Sequence, residues 1–191
     1  MVYNSRRNVR RGRDLKGVAR RVKDLDRALF RAIFGVKWAP LTTVMRAFTV
    51  AGTAGALWGL LAAVAFLLTG LEPSRLLIPW TAIAASWTVA EGTKYLFNRT
   101  RPFLWDTEIA PLIKTPSSSS FPSGHSATAA AGAITLSVLY PPFAPVLVLA
   151  GLLVVLSRVY LGVHFPFDVL AGTAIGTVTS AVVLAVAALL A

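Results

Sequence analysis

Residues 47–70 read AFTVAGTAGALWGLLAAVAFLLTG, 24 positions without a charge. About 20 apolar residues cross the hydrocarbon core of a bilayer as a helix, so this stretch reads as a membrane span. Four more follow. Leu76 to about Tyr95 stays uncharged to Ala90 and ends in Glu91 and Lys94; a third span runs from His125 to Tyr140; a fourth runs from Val146 to Ser157 and past Arg158 toward Leu161; and 169–191 gives 23 uncharged positions. Pro141, Pro142 and Pro145 separate the third and fourth, because proline lacks the amide that a helix in lipid must satisfy internally. The expected fold class is all-α, a polytopic membrane helical bundle of about five transmembrane helices. Composition agrees: 55% of the 191 residues are hydrophobic and 14% charged, against about 45–50% and about 25% in soluble domains. An ordinary soluble enzyme and a disordered chain are both poor readings.

The charge is lopsided. Of 19 Lys/Arg and 8 Asp/Glu, residues 1–37 hold 12 and 3, which places net +9 of the total +11 in one arm. Residues 1–17 read as a basic flexible arm. Behind it Val18, Val22, Leu25, Leu29, Ile33 and Val36 recur at helical steps among Arg20, Lys23, Asp24, Arg27 and Arg31, so residues 18–46 form an amphipathic interfacial helical region rather than the h-region of a signal peptide. Residues 47–191 would be the membrane domain. Leading into such a helix, the arm is expected to meet anionic lipid head groups rather than nucleic acid. Cysteine is absent, which excludes disulfides and thiol catalysis. The pairs Gly55/Gly59 and Gly172/Gly176 allow close helix approach, inside one bundle more readily than between copies.

Because helical hairpins alternate direction, the end of span two, the start of span three, the end of span four and the start of span five lie on one face. The polar residues fall there: Lys94, then Arg101-Pro102 in the loop, Pro122-Ser123-Gly124-His125, Ser157-Arg158, and His164 with Asp168. A phosphate would give each a task. Lys94, Arg101 and Arg158 can neutralise a dianion, the arginines as bidentate forks. Ser123 and Gly124 stand where a helix N-terminus offers free amides. The four-residue step from His164 to Asp168 lets a carboxylate orient an imidazole, leaving one imidazole to attack and the other to donate a proton. A channel or transporter would place such groups nearer mid-membrane.

Lys94-x6-Arg101-Pro102, Pro122-Ser123-Gly124-His125 and Ser157-Arg158-x5-His164-x3-Asp168 together resemble the three-part signature of the type 2 phosphatidic acid phosphatase superfamily, membrane lipid phosphate phosphatases related to soluble acid phosphatases and vanadium haloperoxidases. Every position matches, in order, over residues 94–168. The resemblance implies metal-independent hydrolysis through a phosphohistidine, with no cofactor. His164 would be the nucleophile, Asp168 its orienting partner and His125 the acid and later base; Lys94, Arg101, Ser123, Gly124 and Arg158 would hold the phosphoryl oxygens. The substrate would be a phosphorylated lipid: a polyprenyl pyrophosphate, a polyprenyl-phosphate sugar phosphate such as decaprenylphosphoryl ribose phosphate, phosphatidylglycerophosphate or phosphatidic acid. The chain departs from the family in its first segment, where an interfacial helix stands in place of the first of six expected spans.

Lys/Arg excess marks cytoplasmic flanks. With the arm inside and two crossings before the first motif, the site would face the cytoplasm in an inner-membrane protein, although many bacterial members are expected to act outside. Arg46, Arg75 and Lys114 read as snorkelling anchors. Glu91 is either an ion-pair partner that orients Lys94 or an interfacial charge, and Arg99 is undecided. The tryptophans read as interface and packing residues, with Phe103 and Trp105 as candidate lipid contacts. A non-catalytic anionic-lipid scaffold and a phosphate-lipid transporter are the rival readings.

Overall fold

The computed structural model describes residues 3–69 and 72–190, and among them there are helices and no strand. In chain order the helices are α1 (Tyr3–Phe34), α2 (Ala39–Ala51), α3 (Ala56–Leu68), α4 (Pro73–Lys94), α5 (Pro102–Trp105), α6 (Gly124–Leu139), α7 (Ala144–Tyr160) and α8 (Pro166–Leu190), with 3-10 turns at Thr53–Gly55 and Pro141–Phe143.

At the centre stands α6, packed against α3, α4, α7 and α8. Its sequence explains the place. GHSATAAAGAITLSVL is made largely of Gly, Ala, Ser and Thr, and most of these are buried. Small side chains let backbones approach closely, which is how helices associate where lipid removes the hydrophobic drive between them. On α8, a Cβ on Gly172 would stand 2.2 Å from the Ser123 carbonyl oxygen, and one on Gly176 would stand 2.2 Å from that of Ala127. The Gly172/Gly176 pair therefore serves packing inside the bundle. On the other flank, Trp58 of α3 is fully buried over Gly132, where a Cβ would fall 2.3 Å from its ring.

The contacts also fix direction. Gly52 lies against Val154, while the Trp38 amide donates to the Tyr160 hydroxyl at 3.2 Å, so α2 runs antiparallel to α7. Thr69 reaches Tyr140 at 3.4 Å, so α3 runs with α6. The ends expected to gather do gather: the C-termini of α4 and α7 and the N-termini of α6 and α8 share one end of the bundle, roofed by the 95–123 loop and α1.

Several expectations change. The span at 47–70 is not one straight helix: α2 begins at Ala39, so the boundary expected after residue 46 falls inside it, and the chain bends by 52° before α3. The bend is local backbone chemistry, with Ala54 at φ 48° and Gly55 at φ 78°, a left-handed conformation that glycine adopts freely and alanine at a cost of about 1–2 kcal/mol. A run of uncharged residues carries no sign of it. Residues 3–17, expected as a flexible arm, form the first turns of α1; nothing in RRNVRRGRDLK forbids a helix, since Arg and Lys are good helix formers and no proline intervenes. Pro141–Tyr160 and Pro166–Leu190 are long and apolar enough to cross a membrane, and the bent pair α2–α3 makes a third if it counts as one span. The remaining two expected spans differ in kind: α4 mixes Thr, Ser and Trp with its apolar residues, and α6 is only 16 residues long, with most of them buried by its neighbours.

On α1, Val18, Val22, Leu25 and Leu29 are exposed, whereas Phe30 and Phe34 are buried with Ile109, Val159, Phe165 and Val169. The helix thus docks by one face and, apart from Ile33, which packs against the bundle, leaves its expected apolar stripe uncovered by protein.

Candidate active site

At the gathered end lies a cavity of about 270 Å3 lined by Lys94, Arg101, Gly124, His125, Arg158 and His164, together with Glu91, Ser118, Trp87 and the bend residues Thr53 and Ala54. Six of the eight residues expected at the site share this wall. Ser123 and Asp168 stand behind it, both fully buried.

The ends of the helices aim these groups. Ser123 caps α6: its Oγ accepts from the Ser126 amide at 3.4 Å and from the Ser126 hydroxyl at 2.9 Å. Its own amide donates to the Asp168 carbonyl at 3.0 Å, tying the starts of α6 and α8 together. The first amides of a helix lack intrahelical acceptors and carry the positive end of its dipole, so the cavity receives the open end of α6 at Gly124 and His125, while the Ser123 side chain is spent on the cap. A Cβ on Gly124 would come within 2.8 Å of Glu91 Oε1.

The three cations are held differently. Lys94 Nζ donates to Glu91 Oε1 at 2.6 Å and to Ser118 Oγ at 3.3 Å, so Glu91 is the lysine's partner. Arg101, 2% exposed, donates through Nε to the Ser118 carbonyl at 2.8 Å and through Nη1 to that of Val163 at 2.8 Å. Burial lowers its pKa from the ordinary guanidinium range, against the charges of Asp168 and Glu91. Arg158 is 4% exposed; its Nη1 donates to Thr49 Oγ1, its Nε has no partner, and among the described residues no carboxylate pairs with it. A buried cation without a counter-charge is costly. A cavity with three cations and one carboxylate is chemically suited to an anion.

His164 is held in the turn between α7 and α8 by its amide, which donates to the Arg158 carbonyl at 3.2 Å. Its Nε2 lies 3.3 Å from Arg101 Nη1. Guanidinium only donates, so this contact makes Nε2 the acceptor and leaves the ring proton on Nδ1. That Nδ1 is buried without a hydrogen-bond partner and stands 3.5 Å from Asp168 Oδ2. Burial, then the charges of Arg158, Arg101 and Lys94, hold its pKa well below 6.5. That tautomer turns the Nε2 lone pair toward Arg101 at the cavity wall and the Nδ1 proton toward a carboxylate. Asp168 itself accepts from Ser120 Oγ at 2.5 Å, from the Phe165 amide at 2.8 Å and from Arg99 Nη1 at 2.6 Å.

Some neighbours escaped the sequence reading. Arg99, undecided there, bridges Asp168 and Asp26. Thr49 and Ser118 carried no signal, because each is a hydroxyl brought in over a long loop closure. Arg46, read as an anchor, donates to the Leu112 carbonyl at 2.9 Å. Phe103 and Trp105 pack beneath α1, with Arg27 4.5 Å above the Trp105 ring, instead of facing the cavity. Among the described residues no three His, Asp or Glu are grouped as metal ligands.

The family model of the PAP2 superfamily matches residues 75–189. An undecaprenyl-diphosphatase of Sulfolobus acidocaldarius is 38% identical over 47% of this chain and 44% of its own length. A decaprenylphosphoryl-5-phosphoribose phosphatase of Mycobacterium tuberculosis is 36% identical over 50% and 51%. The chain thus spans about half the length of the curated relatives it matches. The crystal structure of a transmembrane PAP2-type phosphatidylglycerolphosphate phosphatase from Bacillus subtilis superposes with a TM-score of 0.71 at 28% identity, covering 86% of this chain and 85% of that one.

Proposed function

Since the chain belongs to the PAP2 superfamily, we propose that it is an integral membrane lipid phosphate phosphatase that works through a phosphohistidine. The observation that carries the proposal is the buried Arg158, without a counter-anion, beside a neutral His164 whose Nε2 lone pair lies at the cavity. Phosphoryl transfer asks chiefly for positioning and for charge around an in-line displacement.

His164 Nε2 attacks phosphorus while the bond to the lipid oxygen breaks, and His125 gives that oxygen its proton. The imidazolium then faces Asp168 through Nδ1. Water, deprotonated by His125, attacks the phosphohistidine and releases inorganic phosphate. Lys94, Arg101, Arg158 and the first amides of α6 neutralise the phosphoryl oxygens throughout; no metal is required.

The relatives' names cover a polyprenyl diphosphate, a polyprenyl-phosphate sugar phosphate, phosphatidylglycerophosphate and lipid A, so the candidates are a polyprenyl lipid carrying a diphosphate or a sugar phosphate, phosphatidylglycerophosphate and phosphatidic acid. We propose five crossings (the bent α2–α3 pair, α4, α6, α7 and α8), with basic α1 lying in an anionic cytoplasmic interface and the site on the same side. The test is phosphate release by the detergent-purified protein from these four lipids with EDTA present. Turnover that His164→Ala abolishes supports the proposal; no turnover of any lipid, or loss of turnover on adding EDTA, refutes it.

A further inference from the structure

Asp26 lies on α1, outside the matched residues 75–189, in a segment where a carboxylate reads as one charge among many. Yet its side chain is fully buried. One oxygen accepts from Arg99 Nη2 and the other from the Phe167 amide, in the first turn of α8, at 2.9 Å. The other guanidinium nitrogen of Arg99 donates to Asp168 at 2.6 Å. A line of three buried or half-buried charges therefore runs from the interfacial helix to the carboxylate behind His164.

We infer that Asp26 is a positioning residue for His164, acting through Arg99 and Asp168. The inference rests on the phosphatase reading above. The reason is charge arithmetic in a place poorly screened by water. When His164 Nε2 bonds to phosphorus, the ring becomes cationic, and the carboxylate at Nδ1 stabilises it only insofar as it is negative. Arg99 alone would cancel Asp168. Asp26 cancels Arg99 in turn, so the trio carries net −1 instead of zero. Through Phe167 it also holds the start of α8, and with it Asp168, in register. Sequence could not reveal this, because 73 residues separate Asp26 from Arg99 and 141 separate it from Phe167.

The test compares D26N with the double variant D26N/R99Q in detergent, using the lipid that the wild type hydrolyses best. D26N keeps shape and an acceptor for the Phe167 amide but sets the trio to zero. Its kcat falls about 10- to 100-fold, by analogy with the loss on removing the hydrogen-bond partner of a metal-bound histidine. Its KM stays within about threefold, because Lys94, Arg101 and Arg158 are untouched. D26N/R99Q removes both outer charges and restores net −1, so it regains at least about fivefold in kcat over D26N. A purely structural Asp26 predicts the opposite, a double variant no better than the single. Should D26N fail to fold, the double variant is compared with wild type: a kcat within about tenfold supports the inference, and a kcat at the level of His164→Ala overturns it. An active wild type with an unimpaired D26N, or a loss confined to KM, overturns the inference alone; a wild type inert on every lipid overturns the phosphatase reading together with it.

Discussion

Arg158 is the residue at which stability and function pull apart. Removing a buried charge that lacks a counter-ion relieves a desolvation cost, and replacing such groups by apolar ones of similar size has stabilised proteins by about 1–4 kcal/mol. Arg158→Met is therefore expected to raise the Tm of the phosphate-free protein by several degrees, although the Thr49 bond is lost, while abolishing turnover. Added orthovanadate should stabilise wild type and leave the variant unmoved; thermal unfolding in detergent reads both. His164 supplies the pH dependence. Its pKa sits well below the ordinary 6.5, so the ring stays neutral as pH falls through 6.5. The acid limb of kcat/KM that His164 sets should lie below that value, and a limb at or above 6.5 would contradict the geometry. At this scale much was legible: the motif spacing named six of the residues on the cavity wall, since helix ends bring cations and imidazoles together by topology. Ser123 was named for its amides but turns out to cap, and Asp26 and Arg99 were illegible because each is meaningful only through the other.

Among the elements, α6 and α8 are bound by contact rather than by side-chain volume. A methyl group on Gly176 or Gly172 has no room against a backbone carbonyl, and overpacking of this kind costs about 1–3 kcal/mol. Gly176→Ala should lower the Tm. Gly172→Ala should do so and also reduce kcat, because it pushes on Ser123, whose amide ties the start of α6 to Asp168; activity and unfolding measured on the two variants separate the effects. The glycine spacing was visible in the sequence and read correctly as bundle packing. The bend between α2 and α3 was not, because a left-handed Ala54 leaves no trace in hydropathy and the 24 uncharged residues look continuous. The same averaging hid the special status of α6, which stays in the bundle's centre through small size rather than apolarity.

Over the whole molecule, the five crossings proposed above would put the start of α1 and the end of α8 on opposite sides of the membrane. The protein contains no cysteine, so single cysteines can be introduced without background. Replacements at Lys16 and Lys114 should react with an impermeant maleimide from one side, and a replacement at Ser74 from the other. Labelling of Lys16 and Ser74 from the same side would remove the first crossing. Charge predicts a lipid surface for the N-terminal segment; the packing of its Phe30 and Phe34 against Ile109, Val159 and Phe165 shows that the segment is part of the body of the protein.

The glycine contacts of α8 on α6 have a mechanical corollary. Helices whose backbones touch at two points one turn apart have little freedom to slide, so His125 and Asp168 share one frame. The opposite wall of the cavity, formed by Thr53 and Ala54 at the bend and by Trp87 of α4, meets its neighbours through side chains instead, a Cβ on Gly55 falling 2.5 Å from the Ile83 side chain. If a lipid head group needs extra width to enter, the broken helix can yield it while the catalytic distances stay unchanged.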